Sequence, residues 1–418
     1  MTHQIYSNLG RRLEKNLRDG PVGPFVDELA TTILDQGYKK RYLRSRFTVV
    51  RALSLWLVHE CIELRRLDSK RVNEFIRYRS SQSAFMGESG ELVTLNTLID
   101  IMRNNGAVPI EEKPLVPIDR IDEALSDYKT YLTEEKGLVP TTILRYLTQI
   151  RKFLSHIFDV QALDFSSISA QAIMGFIQDH ASGHSAADSA MMVCAIRSFL
   201  RFLVIQGQID ASLAECVPTV CGAKDRRIPS HLTRAELSHL LKCNKGTTPE
   251  LRRNYAILLL LARLGLRASE VAALSIDDID WNHGELTIQG KGDRQACLPL
   301  PKDVGNALVG YLKRVRPTCS YRNVFITLRA PYRPFKNGTA VSAMVNHAVK
   351  RAGLNPQNKG AHLLRHTLAT ECLRKGATLT EIGEILRHRS IDTTAIYAKV
   401  DFTRLATLRM PWPNRGEQ

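Results

Sequence analysis

The stretch AHLLRHTLATECLRKGATLTEIGEILRHRSIDTTAIYAKV, Ala361 to Val400, brings His362, Arg365, His366 and His388 together with further arginines and lysines and a lone phenol, Tyr397. His362 and Arg365 are three residues apart, so a helical turn sets both on one face. His366, next to Arg365, points elsewhere and is expected to pack or cap. His388 comes 22 residues after His366, and Tyr397 nine residues after that. A single histidine near a helix end is ordinarily structural, and a buried tyrosine ordinarily packs. The set therefore acquires meaning only jointly, with what the rest of the chain supplies.

A chain of 418 residues is too long for one ordinary core, which predicts two or three domains. Hydrophobic residues at 44% and charged residues at 24% are those of a soluble globular protein. The formal charge of +16 favours a polyanionic partner, nucleic acid first among them. The N-terminal MTHQIYSNLGRRLEKNLRDG lacks the apolar core of a secretion signal, and the apolar run Ala256 to Ala262 is too short to span a bilayer. Eight scattered cysteines without paired metal-ligand spacing predict reduced thiols, no disulfides and no zinc in a cytoplasmic protein.

Two proline-bearing stretches, Val108 to Asp119 and Val217 to Thr233, read as connectors that divide the chain into three parts. The first two parts look alike. Thr48, Val50 and Arg51 match Thr148, Ile150 and Arg151 at an offset of 100, and NEFI ending at Ile76 matches MGFI ending at Ile177 at 101. This predicts a duplicated helical module, with chance similarity of two amphipathic segments as the alternative. Ile143, Leu147, Ile150, Phe153, Leu154 and Ile157 form one helical stripe, opposite Arg145, Arg151 and Lys152. The first module carries Lys39, Lys40, Arg41 and Arg44 in one short span. Such a run is either a solvated face or a phosphate-tracking surface, and the net charge favours the second.

The third part opens with a capping box, Thr233 to Glu236. Helices follow, then a strand pair between Gly284 and Leu300 turning at Gly290 to Asp293, then more helices, so the domain is mainly α with one small sheet. In RLGLRASEVAAL, Gly265 suits a helix end, which puts Arg267 in a connecting turn, where Glu270 can hold it. In QGKGDRQACLPL, Lys291 sits at a hairpin tip flanked by glycines, a spacing that is not a phosphate-binding P-loop.

Arg267 in a GLRASE turn, Lys291 in a GKG hairpin, HLLRH, and LRH followed by Tyr397 resemble, in order, the motifs of the tyrosine recombinase (phage integrase) family. Asp119 to Gly207 resembles that family's helical SAM-like core-binding domain. The resemblance implies a mainly α protein: a helical DNA-binding module over 1–110, a core-binding domain over 118–215, a mostly helical catalytic domain with a small β-sheet over 230–400, and a tail over 401–418. Phe402, Leu405 and Leu408 of that tail would dock on a neighbouring protomer or fold back. The chain departs from the family in having Arg387 where LGH is usual and Ala296 where a second basic residue is usual.

The resemblance further implies site-specific recombination through a 3′-phosphotyrosyl intermediate and a Holliday junction, serving integration, excision or transposition of a mobile element. Tyr397 would attack phosphorus, Arg267 and Arg365 would clamp the non-bridging oxygens, and His362 would take the phenol proton. His388 would hydrogen-bond the phosphate, Lys291 would protonate the departing 5′-oxygen, and Glu270 would orient Arg267. No cofactor or metal is implied, because guanidinium groups neutralise the charge. The implied partners are double-stranded DNA and further copies of the chain, a dimer on one site and a tetramer in synapsis, with accessory recombinases or DNA-bending proteins, and no membrane. DNA contacts are expected from Lys39, Lys40, Arg41, Arg44, Arg145, Arg151, Lys152, Arg226, Arg227 and Arg294, in a protein associated with the nucleoid. A type IB topoisomerase and a catalytically inactive DNA-binding regulator are the competing readings.

Overall fold

In the computed structural model the described residues are 17–82, 89–109, 120–158, 163–218, 229–290, 295–388 and 390–400. Contacts divide the chain into two units, residues 111–227 and the remainder, so the N-terminal helices group with the C-terminal region. Helices dominate both. Helix α1 (Val26–Asp35) buries Val26, Leu29, Ala30 and Ile33, a three-and-four spacing that turns one face to the core, and its first turn carries Asp27 and Glu28, as the helix dipole favours. The N-terminal core is completed by α2 (Leu43–His59), α3 (Ser69–Gln82) and α4 (Ser89–Asn104), with Trp56 against Phe75 at 5.6 Å.

The other unit repeats the succession with α5 (Arg120–Glu134), α6 (Pro140–Ile157), α7 (Ala170–Gly183) and α8 (Ala186–Ile205), then the short α9 (Ala211–Glu215). A 3-10 turn precedes the third helix in each set, Leu64–Arg66 and Phe165–Ser167. The stripe read from α6 points inward: Ile143, Ile150, Phe153 and Leu154 are buried, and Leu147 and Ile157 pack partly against them. Tyr128, Phe199 and Phe202 form an aromatic centre with ring separations of 5.0 to 6.1 Å.

In the C-terminal region α10 (Arg234–Cys243) starts at Thr233 with the expected capping box to Glu236. Helix α11 (Pro249–Leu264) is the core helix, and its apolar run is buried from Ala256 to Ala262. Thr248 caps its first turn and Pro249 occupies a position where no amide partner is needed. Around it lie α12 (Ala268–Ala273), α13 (Lys302–Arg314), α14 (Gly338–Arg351) and α15 (Ala361–Arg374), followed by α16 (Leu379–Leu386) and α17 (Ile391–Ala395). The sheet has three antiparallel strands in the order β1 (Ile279–Asp280), β2 (Glu285–Gln289), β3 (Gln295–Pro299), pairing Leu286 with Leu298 and Ile288 with Ala296. β1 adds a strand to the expected pair. Leu286 and Ile288 alternate inward and fasten the hairpin to the core.

Candidate active site

Arg267 reaches its position through a glycine. Gly265 ends α11 in the left-handed conformation (φ 58°), and a Cβ there would lie 2.8 Å from Leu386 and 2.9 Å from Leu368. Glycine adopts this backbone without strain and leaves both leucine side chains in place. The chain then turns, and Arg267 becomes the N-cap of α12. Glu270 holds it there: one carboxylate oxygen accepts the Arg267 amide at 2.8 Å, and the other accepts its guanidinium at 2.7 Å. Glu270 thus fixes both the backbone and the guanidinium of Arg267. The Arg267 guanidinium also donates to the Arg387 carbonyl at 3.1 Å, while about a third of its side chain stays exposed.

Arg365, on α15, is buried, with its two terminal nitrogens on the carbonyls of Gly265 and Leu386. Those carbonyls close two helices, so one guanidinium ties the Arg267 turn to the turn that carries His388. Burial, then the cations of Arg267 and Arg387, push Arg365 down to about 10. Arg387 fills the C-cap of α16 with φ 55° and ψ 48°, the left-handed region that the glycine of LGH would adopt without strain. Its guanidinium turns in to Glu270 at 3.0 Å. One buried carboxylate therefore serves two arginines, and their contacts hold it below its usual range despite its burial.

Tyr397 is 1% exposed, in the 3-10 turn Ile396–Val400. Burial pushes its phenol up to about 12, and Arg365 acts in the opposite direction. The hydroxyl meets Nδ1 of His366 at 2.9 Å. His366 therefore does not point away from the site, as expected from its place beside Arg365, but contacts the phenol. Burial, followed by His362 and Arg365, pushes His366 down to about 4, so it is neutral near pH 7, and in the tautomer protonated at Nε2 its Nδ1 accepts from the phenol. His362, expected to take the phenol proton, lies on the solvent side, its ring 6.1 Å from that of His366. Packing on its inner side, with Arg365 and Arg267, lowers its imidazole below the ordinary value. His388 stacks parallel to Tyr397 at 6.4 Å and shares a 2.7 Å hydrogen bond with Thr394. Burial and the surrounding arginines push it to about 4.

Arg267, Glu270, His362, Arg365, His388 and Tyr397 are thus gathered, and Lys291 lies outside the described residues. Sequence reasoning missed His366 and Arg387. Among the surface cations, Lys39, Lys40, Arg41, Arg44, Arg145 and Lys152 are exposed. Arg151 is exposed too, in a surface ion pair with Asp122. Arg226, Arg227, Arg294 and the tail 401–418 fall outside the described residues.

The chain matches the model of the phage integrase family over residues 230–404 and that of the phage integrase N-terminal SAM-like domain over 125–207. The protein y4rA of Sinorhizobium fredii is 35% identical over 399 residues, 96% of each chain. The tyrosine recombinase XerD of Mycobacterium tuberculosis is 30% identical over 295 residues, covering 66% of this chain and 92% of XerD. The chain belongs to the phage integrase family. This tyrosine recombinase is accordingly an enzyme that breaks and rejoins DNA. Its fold is also that of the XerH site-specific recombinase, solved bound to a palindromic difH substrate, with a TM-score of 0.54 at 20% identity over 71% of this chain and 88% of XerH. Residues 1–124 of the recombinase lie outside both family matches. Among its described residues no helix is long and apolar enough to cross a membrane.

Proposed function

We propose that Tyr397 attacks a DNA phosphodiester to leave a 3′-phosphotyrosyl bond and a free 5′-hydroxyl, and that strand exchange between two duplexes proceeds through a Holliday junction. The observation that carries this reading is the phenol of Tyr397 on a neutral imidazole, 2.9 Å away, beside Arg365 and within the ring of arginines built on Glu270. The exposed part of Arg267 offers a planar fork to a non-bridging oxygen, and His388 faces the same region. His366 accepts the phenol proton as the oxygen bonds to phosphorus. Lys291 delivers the proton to the leaving 5′-oxygen. An ester formed this way keeps the energy of the broken bond for rejoining, which hydrolysis would lose.

Double-stranded DNA is the substrate, bound by a dimer on each site and a tetramer in synapsis. The net charge of +16 and the exposed cations of α2 and α6 support a backbone-tracking surface. The N-terminal helices, which repeat the helical succession of the SAM-like region, extend the footprint, and a mobile element is the setting that fits this enlarged architecture. Such an enzyme acts on the nucleoid. The test uses a nicked suicide duplex carrying the target site, on which wild-type protein accumulates a covalent complex and Tyr397→Phe forms none. Recombinant products from two partner duplexes distinguish this reading from topoisomerase-like relaxation. A covalent complex with Tyr397→Phe overturns the assignment.

A further inference from the structure

Helix α7 ends and α8 begins at a corner where two imidazoles and a carboxylate meet, within the unit of residues 111–227. His180 is 8% exposed, and its Nε2 makes no hydrogen bond. The nearest carboxylate oxygen, Oδ2 of Asp188, stands 3.6 Å from it. His184, one turn further on, stacks on the His180 ring with centroids 3.8 Å apart. All candidate donor atoms of the three residues lie within 4.8 Å of one another.

We propose that His180, His184 and Asp188 form a binding site for a divalent transition-metal ion of the zinc class, which clips the end of α7 to the start of α8. The spacing is the first argument. At 3.6 Å, Nε2 and the carboxylate are too far apart for a hydrogen bond, whereas an ion about 2.1 Å from each would see them at an angle of roughly 120°, close to tetrahedral. The second is the tautomer. His184 Nδ1 meets the His180 carbonyl at 2.9 Å, so it carries the proton and leaves Nε2 with a free lone pair, the arrangement that orients metal-bound histidines. Third, the buried ring nitrogen of His180 has no partner, and coordination would replace the hydration it has lost. The exposed His184 ring can swing the remaining distance, and the fourth position is open to water. A survey of cysteine spacing could not find this site, because its ligands are two histidines at i and i+4 and an acid in the next helix.

The test uses full-length, tag-free protein stripped with a chelator and titrated with Co²⁺, then with Zn²⁺. Wild type takes up one equivalent of Co²⁺ with a visible tetrahedral d–d spectrum, Zn²⁺ bleaches it, and Zn²⁺ raises the unfolding temperature. Asp188→Asn keeps the backbone cap that Ser185 provides, and His184→Ala alters an exposed side chain, so both fold. Each weakens Co²⁺ binding roughly tenfold or more and abolishes the Zn²⁺-induced thermal shift. His283→Ala, at the surface pair with Asp280, behaves as wild type. Unchanged Co²⁺ uptake in both site variants, or none in wild type, overturns the proposal.

Discussion

Replacing His366 with Gln separates hydrogen bonding from proton acceptance at the nucleophile. The glutamine amide can still accept the Tyr397 hydroxyl, now bonded at 2.9 Å, but cannot take its proton. A phenol pushed up to about 12 beside an imidazole pushed down to about 4 opposes full transfer in the free protein. The free protein therefore holds a neutral phenol, and the proton leaves only as the oxygen bonds to phosphorus and loses its basicity. A base acting within that step contributes about 100- to 10,000-fold. His366→Gln is expected to slow covalent complex formation on a nicked suicide duplex by that factor, in single turnover near pH 7. His362→Gln, altering a ring on the solvent side, is expected to cost less. A 5′-bridging phosphorothiolate, whose sulfur departs without protonation, restores a Lys291 variant and leaves the His366 defect in place. Cleavage by folded His366→Gln within threefold of wild type, or its rescue by the phosphorothiolate, refutes the reasoning.

Three further outcomes follow from the same geometry. Arg387→Ala and Arg387→Gly both remove the ion pair to Glu270, but only glycine relieves the left-handed backbone, so the glycine variant should be the more stable by about 1 kcal/mol, read as a melting temperature roughly 2–4 °C higher; equal melting temperatures count against strain at this position. Gly265→Ala places a methyl 2.8 Å from Leu386 in a left-handed turn, and should cost at least about 1 kcal/mol and lower cleavage by displacing Arg267, as thermal melting and the suicide-substrate assay would measure. His366 and His388 have folded values near 4 against an ordinary 6.5, so the folded state binds fewer protons between those limits. The stability they allow is whole above about pH 6.5 and is lost as pH falls towards 4, by up to about 3 kcal/mol each before discounting for their mutual coupling and partial exposure. Urea midpoints at pH 7 and pH 5 measure it, and a wild-type midpoint no more acid-sensitive than that of His366→Gln contradicts it.

The parts of the site legible in sequence are those set by local geometry. Gly265 before Arg267 announces a turn, Glu270 at i+3 announces its partner, and alternating Leu286 and Ile288 announce a strand. Strand β1, two residues long, is too short to show alternation. His366 was misread because reasoning along one helix assigns it a direction relative to Arg365, whereas its partner comes from a turn 31 residues further on. The same limit affects basic runs. Arg46 resembles its exposed neighbours in sequence, yet it bonds to Gly90 and Thr94 and lies 3.8 Å from the Tyr38 ring. Arg151 pairs with Asp122 but stays exposed at the surface. Charge density is written in sequence, but which cations remain available to a phosphate is decided by tertiary neighbours.

Arg387 links the departure from the family pattern to the electrostatics of the site. A glycine at this position would leave Glu270 balanced between its carboxylate charge and Arg267 alone. With Arg387 present, three guanidiniums crowd one carboxylate, and burial with mutual repulsion lowers both Arg365 and Arg387. The arginine also adopts a backbone conformation that costs about 1–2 kcal/mol outside glycine. Neither term favours the free protein. The electrostatic term becomes reasonable if an anion completes the cage, because a phosphodiester brought against Arg267 and Arg365 cancels the excess charge that the free state endures. In the proposed reaction the charge growing on the non-bridging oxygens then meets donors already fixed by the Gly265 and Leu386 carbonyls and by Glu270, so little reorganisation remains for the moment of bond exchange.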